Sequence, residues 1–291
     1  MQNKDAKEYK IAGCVILYFP DNEVIENIES YITKLEHLYV VNNGGGEIIF
    51  MTLSKRYKNI TLINYEENSG IAKPLNDVLS LARDRYDFLL TMDQDSKFSD
   101  TIDYYLESLC QFDWKSTLGI GPHLRLKNVK NTCTEKNLKW KKVFSVITSG
   151  NIINISNAVR IGCFLEDLFI DEVDNEFCYR GYIKGYYTYQ STGDIYIDHN
   201  LGNPKKIRFI RDFHPTMHNY IRTYYIFRNK TYVIKKYHNL SFRLMWKEYY
   251  WRMFKLLVSK AFFEEDKKRK LRSVFRGTYH GLTNNMGKKY F

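Results

Sequence analysis

From its N-terminal end the chain alternates short, continuous apolar runs with stretches whose apolar positions recur at helical spacing. Ile11 to Phe19 is unbroken and stops at Pro20, as a strand buried on both faces reads. Asp21 or Asn22 then caps a predicted helix with Val24, Ile25, Ile28, Ile32 and Leu35 on one face. His37 to Val41 reads as a second strand, closed by Asn42-Asn43-Gly44-Gly45-Gly46. A helix from Glu47, a third strand over Asn59 to Asn64 and a helix over Ile71 to Arg83 follow. The fourth strand, Phe88 to Met92, delivers Asp93 and Asp95 to a turn. Strict alternation of strand and helix predicts parallel pairing in an α/β, doubly wound sheet. Such sheets bind ligands beyond the carboxyl ends of their strands, where the Asn/Gly turn, the Glu66 to Gly70 turn and Asp93-Gln94-Asp95 all fall.

Further on, Leu118 to Pro122 reads as another buried strand and the polar segment Leu124 to Lys142 as a long loop. Thr148-Ser149-Gly150-Asn151 is a turn before the apolar run Ile152 to Ile155, and Ile195 to His199 alternates as a strand. Charge divides the chain unevenly. Residues 1–203 carry 22 Lys/Arg against 28 Asp/Glu, and residues 204–291 carry 22 against 5, for a net charge of +11. The expected organisation is therefore an acidic body, 1–203, and a basic helical region, 204–291, with the boundary at Leu201-Gly202-Asn203-Pro204. No apolar run is long enough to span a membrane, and Met1 to Tyr9 is too polar for a signal peptide. Five widely spaced cysteines without a C-x-x-C pair read as reduced thiols of a cytoplasmic protein.

Candidate chemistry sharpens this picture. In a strand, positions i and i+2 share a face, so Asp93 and Asp95 can turn toward one Mg²⁺ or Mn²⁺, a hard cation that keeps room for water and phosphate oxygens. The same residues also read as an acidic turn after an edge strand. Tyr18 and Phe19 can offer an aromatic wall to a base, Glu66 a hydrogen-bond acceptor for base or ribose, and the helix starting near Gly70 backbone N–H groups for phosphate. No G-x-G-x-x-G and no G-x-x-x-x-G-K-[ST] occurs, which removes the signatures of dinucleotide and P-loop sites. A second acidic cluster, Phe169-Ile-Asp-Glu-Val-Asp-Asn-Glu-Phe-Cys-Tyr-Arg180, packs Asp171, Glu172, Asp174 and Glu176 into six residues. Opening a helix there would keep those carboxylates ionised, as a base must be. Arg180 is placed to steer phosphate or to pair with Glu176.

In order along the chain, Val15-Ile-Leu-Tyr-Phe-Pro20, Val40-Val-Asn-Asn43, Glu67-Asn-Ser-Gly-Ile-Ala-Lys-Pro-Leu-Asn76 and Met92-Asp-Gln-Asp-Ser96 resemble the nucleotide-sugar half of family 2 glycosyltransferases of GT-A fold. The acidic cluster resembles the acceptor-side motif of their bacterial rhamnosyltransferase branch, and the resemblance spans roughly residues 10–230. It departs at Asn43, where relatives commonly carry Asp, and at Pro74, which suits a helix start. The resemblance implies donor contacts at Tyr18, Asn43, Glu66, Asn68, Gly70, Ala72, Asp93, Gln94, Ser149, Gly150, Arg180 and Arg228. It also implies Asp95 as direct metal ligand with Asp93 and His199 beside it, and Asp174 as catalytic base with Asp171 as runner-up. The implied activity is metal-dependent inverting transfer, most simply of rhamnose from dTDP-rhamnose, to a lipid-linked polysaccharide acceptor. UDP-galactose, UDP-galactofuranose or UDP-N-acetylglucosamine are alternative donors.

The basic region interleaves its charges with Tyr237, Leu240, Phe242, Leu244, Met245, Trp246, Tyr249, Tyr250, Trp251, Phe254, Leu256, Leu257, Val258, Phe262 and Phe263. That composition suits a helix pair lying on anionic lipid at the inner face of the cell membrane. A homodimer contact is a second reading, and a nucleic-acid grip that leaves the α/β body as scaffold a third.

Overall fold

The computed structural model describes residues 9–98, 101–126, 139–193, 195–199 and 218–291. The expected boundary Leu201 to Pro204, the basic stretch Lys205 to Arg211, Cys133 and the middle of the segment Leu124 to Lys142 lie outside them. By internal contacts the chain forms two compact units, Met1–Phe164 with Phe177–Asn200, and Leu165–Glu176 with Leu201–Phe291. The acidic cluster thus begins in the helical unit. No helix among the described residues is long and apolar enough to cross a membrane.

The first unit is a mixed, mostly parallel α/β structure. Strands β1 (Ile11–Leu17), β2 (His37–Asn42), β3 (Ile60–Asn64) and β4 (Phe88–Asp93) alternate with helices α1 (Glu23–Glu29), α2 (Glu47–Arg56) and α3 (Ala72–Ala82). After β5 (Ser96–Phe98) come α4 (Ile102–Glu107), β6 (Thr117–Gly121), β7 (His123–Leu126), β8 (Trp140–Val143), β9 (Asn151–Asn154), α5 (Ile155–Ile161), α6 (Val173–Ile183, in this unit from Phe177 on), β10 (Tyr187–Ser191) and β11 (Tyr196–His199). Eight strands join in the order β3-β2-β1-β4-β9-β6-β10-β8, and β5-β11-β7 form a smaller sheet. β1 is central because its run is apolar on both faces: Cys14 and Val15, which point to opposite faces, have no exposed surface. The register sets Leu17 beside Asn42, Asn42 beside Asn64, and Ile16 beside Asp93, so the four parallel strands end level with one another.

Three expectations change. The helix expected as far as Leu35 stops at Glu29 and is followed by a separate 3₁₀ turn, Ile32–Lys34. The segment expected as a loop carries strands at both described ends, β7 and β8. The doubly wound pattern is broken by β9, which pairs antiparallel with both β4 and β6.

The second unit is helical. α7 (Tyr220–Tyr237) and α10 (Lys267–Thr283) flank a helical run made of α8 (Phe242–Leu244), a π-helical stretch Met245–Trp251, α9 (Arg252–Val258) and a further π-helical stretch Ser259–Phe263. Gly277 and Gly281 let α10 approach the α7 backbone closely: a Cβ added there would stand 2.5 Å from the Tyr224 carbonyl oxygen and 2.4 Å from that of Arg228. Ile226, Phe227 and Val274 pack together with Met253 and Leu256. Lys260 and Lys270, both buried, converge on Glu264 at 2.7 and 2.8 Å. Phe242, Trp246, Phe254, Phe262 and Phe275 instead face outward.

Candidate active site

In the first unit the turns at the strand ends are tied together by side-chain amides. Asn42 is buried: its Oδ1 accepts from the Gly44 and Gly46 N–H groups at 3.1 and 2.7 Å, and its Nδ2 donates to Glu47 and Asn64. Asn43, also buried, donates to Asn68 Oδ1 at 3.1 Å and to the Gly70 carbonyl at 2.8 Å, while its Oδ1 accepts from Ser69 N–H at 2.8 Å. Asn68 in turn accepts from Gly70 N–H at 2.8 Å. The Asn43 amide therefore latches the β2 turn to the turn before α3, and an Asp there would set its second oxygen against the Gly70 carbonyl. Ala72 is buried in the first turn of α3, and Glu66 stands exposed. Tyr18 and Phe19 project from the end of β1, both exposed, their rings edge-on at 4.7 Å.

The second tie holds the Asp-x-Asp turn itself. Gln94 Oε1 accepts from Tyr18 N–H at 2.8 Å, its Nε2 donates to the Tyr18 carbonyl at 3.1 Å, and Asn27 donates to the Gln94 carbonyl at 2.9 Å. This amide pairs with β1 as a further strand residue would, so the aromatic pair and the two carboxylates are oriented by one side chain. Asp93 N–H donates to Ser149 Oγ at 3.4 Å. Gly150, at φ +77°, is closed in by Pro122 Cγ, which would lie 2.6 Å from an added Cβ. β11 sets His199 opposite Ser96, one residue beyond Asp95, in an antiparallel pair. Asp93, Asp95, Ser149 and His199, scattered through the sequence, are thus neighbours along the backbone. Two half-buried carboxylates at one turn, with a histidine on the adjoining strand, suit a hard divalent cation, although among the described residues no ready-made cluster of three ligating side chains occurs.

The acidic cluster divides differently from the sequence expectation. α6 starts at Val173, so Asp171 and Glu172 precede it, and both sit at positive φ, 62° and 65°, as does Phe169. Three such residues in one short segment store strain that other contacts must hold. Asn229 of α7 supplies them: its Nδ2 reaches the carbonyls of Leu168, Ile170 and Asp171 at 2.9, 2.6 and 2.9 Å. Arg228, with no exposed surface, donates to the carbonyls of Asp167 and Leu168 and, at 2.5 Å, to that of Gly287.

Two of the four carboxylates are consumed within this unit. Glu172 meets Lys230 at 2.5 Å and accepts from Tyr249 and Asn175; burial alone would raise its pKa, and these partners bring it below the ordinary value. Glu176, fully buried, accepts from the Tyr237 hydroxyl at 2.6 Å and Lys236 at 3.0 Å. Asp171 keeps one enclosed oxygen, Oδ2, without a hydrogen-bond partner, and burial raises its pKa against the pull of Arg222. Asp174 is half-buried in the first turn of α6, with Oδ1 accepting from Asn175 N–H at 2.8 Å.

Both arginines expected at phosphate have other partners. Arg180 donates to the carbonyls of Ile161 and Cys163 at 2.6 and 2.5 Å and so finishes α5, whose cap Gly162 leaves those groups open. Arg228 clamps the strained segment because its donors point at enclosed carbonyls. Asn42 and Asn229 carry positioning roles that the sequence does not single out, and Gln94, expected at the donor, spends its side chain on the Tyr18 backbone. Asn229 follows the expected donor residue Arg228, and its carbonyl partners lie 58 to 61 residues away in the chain.

Over 249 residues the chain is 25% identical to the dTDP-rhamnosyl transferase RfbF of Shigella flexneri, covering 78% of this chain and 81% of that protein. Its fold is similar to S. aureus TarS 1–349, with a TM-score of 0.53 and 12% identity over 94% of this chain and 72% of that one. It is similar also to GalNAc-T7 with UDP, GalNAc and Mn²⁺ (TM-score 0.58, 11% identity, 96% of this chain, 57% of that one). A third likeness is the mannosyltransferase PcManGT from Pyrobaculum calidifontis with GDP-Man and Mn²⁺ (TM-score 0.57, 14% identity, 79% of this chain, 65% of that one). No protein-family model matches the sequence.

Proposed function

We propose that this chain, GT-A in fold, is a metal-dependent inverting glycosyltransferase that moves rhamnose from dTDP-rhamnose to a lipid-linked polysaccharide at the inner face of the membrane. The observation that carries the reading is the row of tied turns at the ends of β1 to β4, with Asp93 and Asp95 at its end and His199 on the adjoining strand. Similarity to a dTDP-rhamnosyl transferase supports the donor. A UDP-sugar donor is the second reading, supported by the likeness to TarS in complex with UDP-GlcNAc.

In this reading Tyr18 and the Asn43–Asn68 latch shape the nucleotide pocket, with Glu66 at its edge and Ser149 beside Asp93. Asp95, Asp93 and His199 would hold Mn²⁺ or Mg²⁺, which when bound neutralises charge on the leaving diphosphate. Asp174 takes the proton of the acceptor hydroxyl as that oxygen bonds to the sugar carbon and the bond from carbon to diphosphate breaks. Asp171, raised in pKa by burial against the pull of Arg222, is the alternative base. The outward aromatic residues of the helical unit, set among lysines and arginines, would rest on anionic lipid.

The test is turnover of the full-length protein across a panel of nucleotide sugars with Mn²⁺. Asp174→Asn is expected to lose about a hundredfold or more in turnover with donor binding kept, and Asp95→Asn to lose metal-dependent donor binding. Absence of binding by every nucleotide sugar would overturn the proposal, as would full activity of Asp174→Asn.

A further inference from the structure

A cleft of about 380 Å³ opens on the helical unit, lined by Arg269, Arg272, Ser273 and Arg276 of α10, Tyr220 at the start of α7, and Phe291. Positions i, i+3 and i+7 of one helix share a face, so the three arginines form a stripe. All three are exposed. Among the described residues none of them pairs with a carboxylate, whereas Lys230, Lys236, Lys260, Lys270, Arg222 and Arg252 of the same unit each do. The partners of the stripe are rings instead: Arg269 lies 5.8 Å from the Tyr220 ring centre, and Arg276 lies 5.4 Å from that of Phe291 and 5.8 Å from that of Tyr224.

Three guanidinium groups within two helical turns repel one another, and the rings that hold Arg269 and Arg276 in place do not remove that charge. The guanidinium fork matches phosphate oxygens in two-point contact. A group carrying at least two negative charges offsets most of the local excess, which a phosphodiester with a single charge does not. At about 100° per residue, the exposed Phe275, Tyr279 and Leu282 fall on the strip of α10 next to the arginines. An apolar strip beside a phosphate-binding one is the arrangement by which a helix lies at the level of lipid headgroups.

We propose that this cleft is a phosphate-binding site for a phosphomonoester or diphosphate group, carried free in solution or on a lipid headgroup. It stands apart from the assignment of Asp93 and Asp95, and its lipid form deepens the membrane reading by naming the headgroup chemistry.

The experiment uses the full-length protein with a metal chelator, so that the nucleotide turns are not engaged through a cation. Inorganic pyrophosphate is titrated at constant ionic strength, and sedimentation is measured with neutral vesicles and with phosphatidic acid or phosphatidylglycerol vesicles matched in surface charge. Saturable pyrophosphate binding is expected, together with preference for phosphatidic acid over phosphatidylglycerol. Both should weaken at least about tenfold in Arg272→Gln/Arg276→Gln and less in Arg272→Lys/Arg276→Lys, which keeps charge and loses the fork. Melting temperature of each variant without ligand separates lost binding from lost fold, and the lysine variant serves if the glutamine one does not fold. Asp95→Asn should bind as the parent does even if it has lost the nucleotide. Pyrophosphate binding without a lipid preference identifies a free anion as the ligand, and the reverse identifies a headgroup. Neither response in the parent protein, or undiminished response in Arg272→Gln/Arg276→Gln, would overturn the site.

Discussion

Asn229 and Arg228 are adjacent residues that between them satisfy carbonyls along Asp167 to Asp171. Asn229→Ala takes this donor from the Ile170 and Asp171 carbonyls, beside backbone at positive φ, while Arg228 still reaches those of Asp167 and Leu168. Denaturant unfolding should show a loss of at least about 2 kcal/mol, and acceptor-dependent turnover should fall while donor binding stays. The sequence gives no sign of this work, since a helix residue does not show which distant carbonyl it will meet. His218 gives a second residue-scale prediction. Burial, then Arg222, Lys260 and Lys270, push its pKa down to about 4 against the pull of Glu264. The folded state therefore keeps the ring neutral while the unfolded chain takes a proton below the ordinary value of 6.5. Stability contributed by this group is present above about 6.5 and falls as pH drops toward 4. His218→Gln should flatten that part of a stability-against-pH curve.

At the scale of elements, α7 and α10 show how context reverses propensity. Glycine to alanine in a helix normally stabilises by roughly 0.5–1 kcal/mol. Gly277→Ala or Gly281→Ala forces a carbon against α7 backbone oxygens, so each should instead destabilise by about 1–3 kcal/mol, read from chemical unfolding. Strands β1 to β4 and helices α2 and α3 were legible because apolar period and turn residues agree. The end of α1 was misread, since apolar spacing continues through the following 3₁₀ turn; it reports burial, not unbroken hydrogen bonding. The strands flanking the polar segment were missed because Arg125 in β7 and Lys141 and Lys142 in β8 interrupt the apolar pattern.

Over the whole molecule the uneven charge has a measurable consequence. Residues 204–291 hold an excess of 17 basic charges, while the remainder is net acidic. Attraction to an anionic surface falls once the screening length drops below roughly 8 Å. Raising salt should therefore release the full-length protein from anionic vesicles while nucleotide binding changes little; release with no salt dependence would leave the apolar residues as the whole of the surface contact. The alternation of strands and helices along the chain, the parallel pairing of β1 to β4 and the Asp93-Gln94-Asp95 turn were determined by sequence alone, because apolar runs and turn formers are local properties. Tertiary structure alone decided that Gln94 pairs with Tyr18, that Glu172 and Glu176 are spent on lysines, and that three arginines line one cleft without an acid, two of them over rings. Each of those joins residues far apart in the chain, and such partners are chosen by packing after the elements exist.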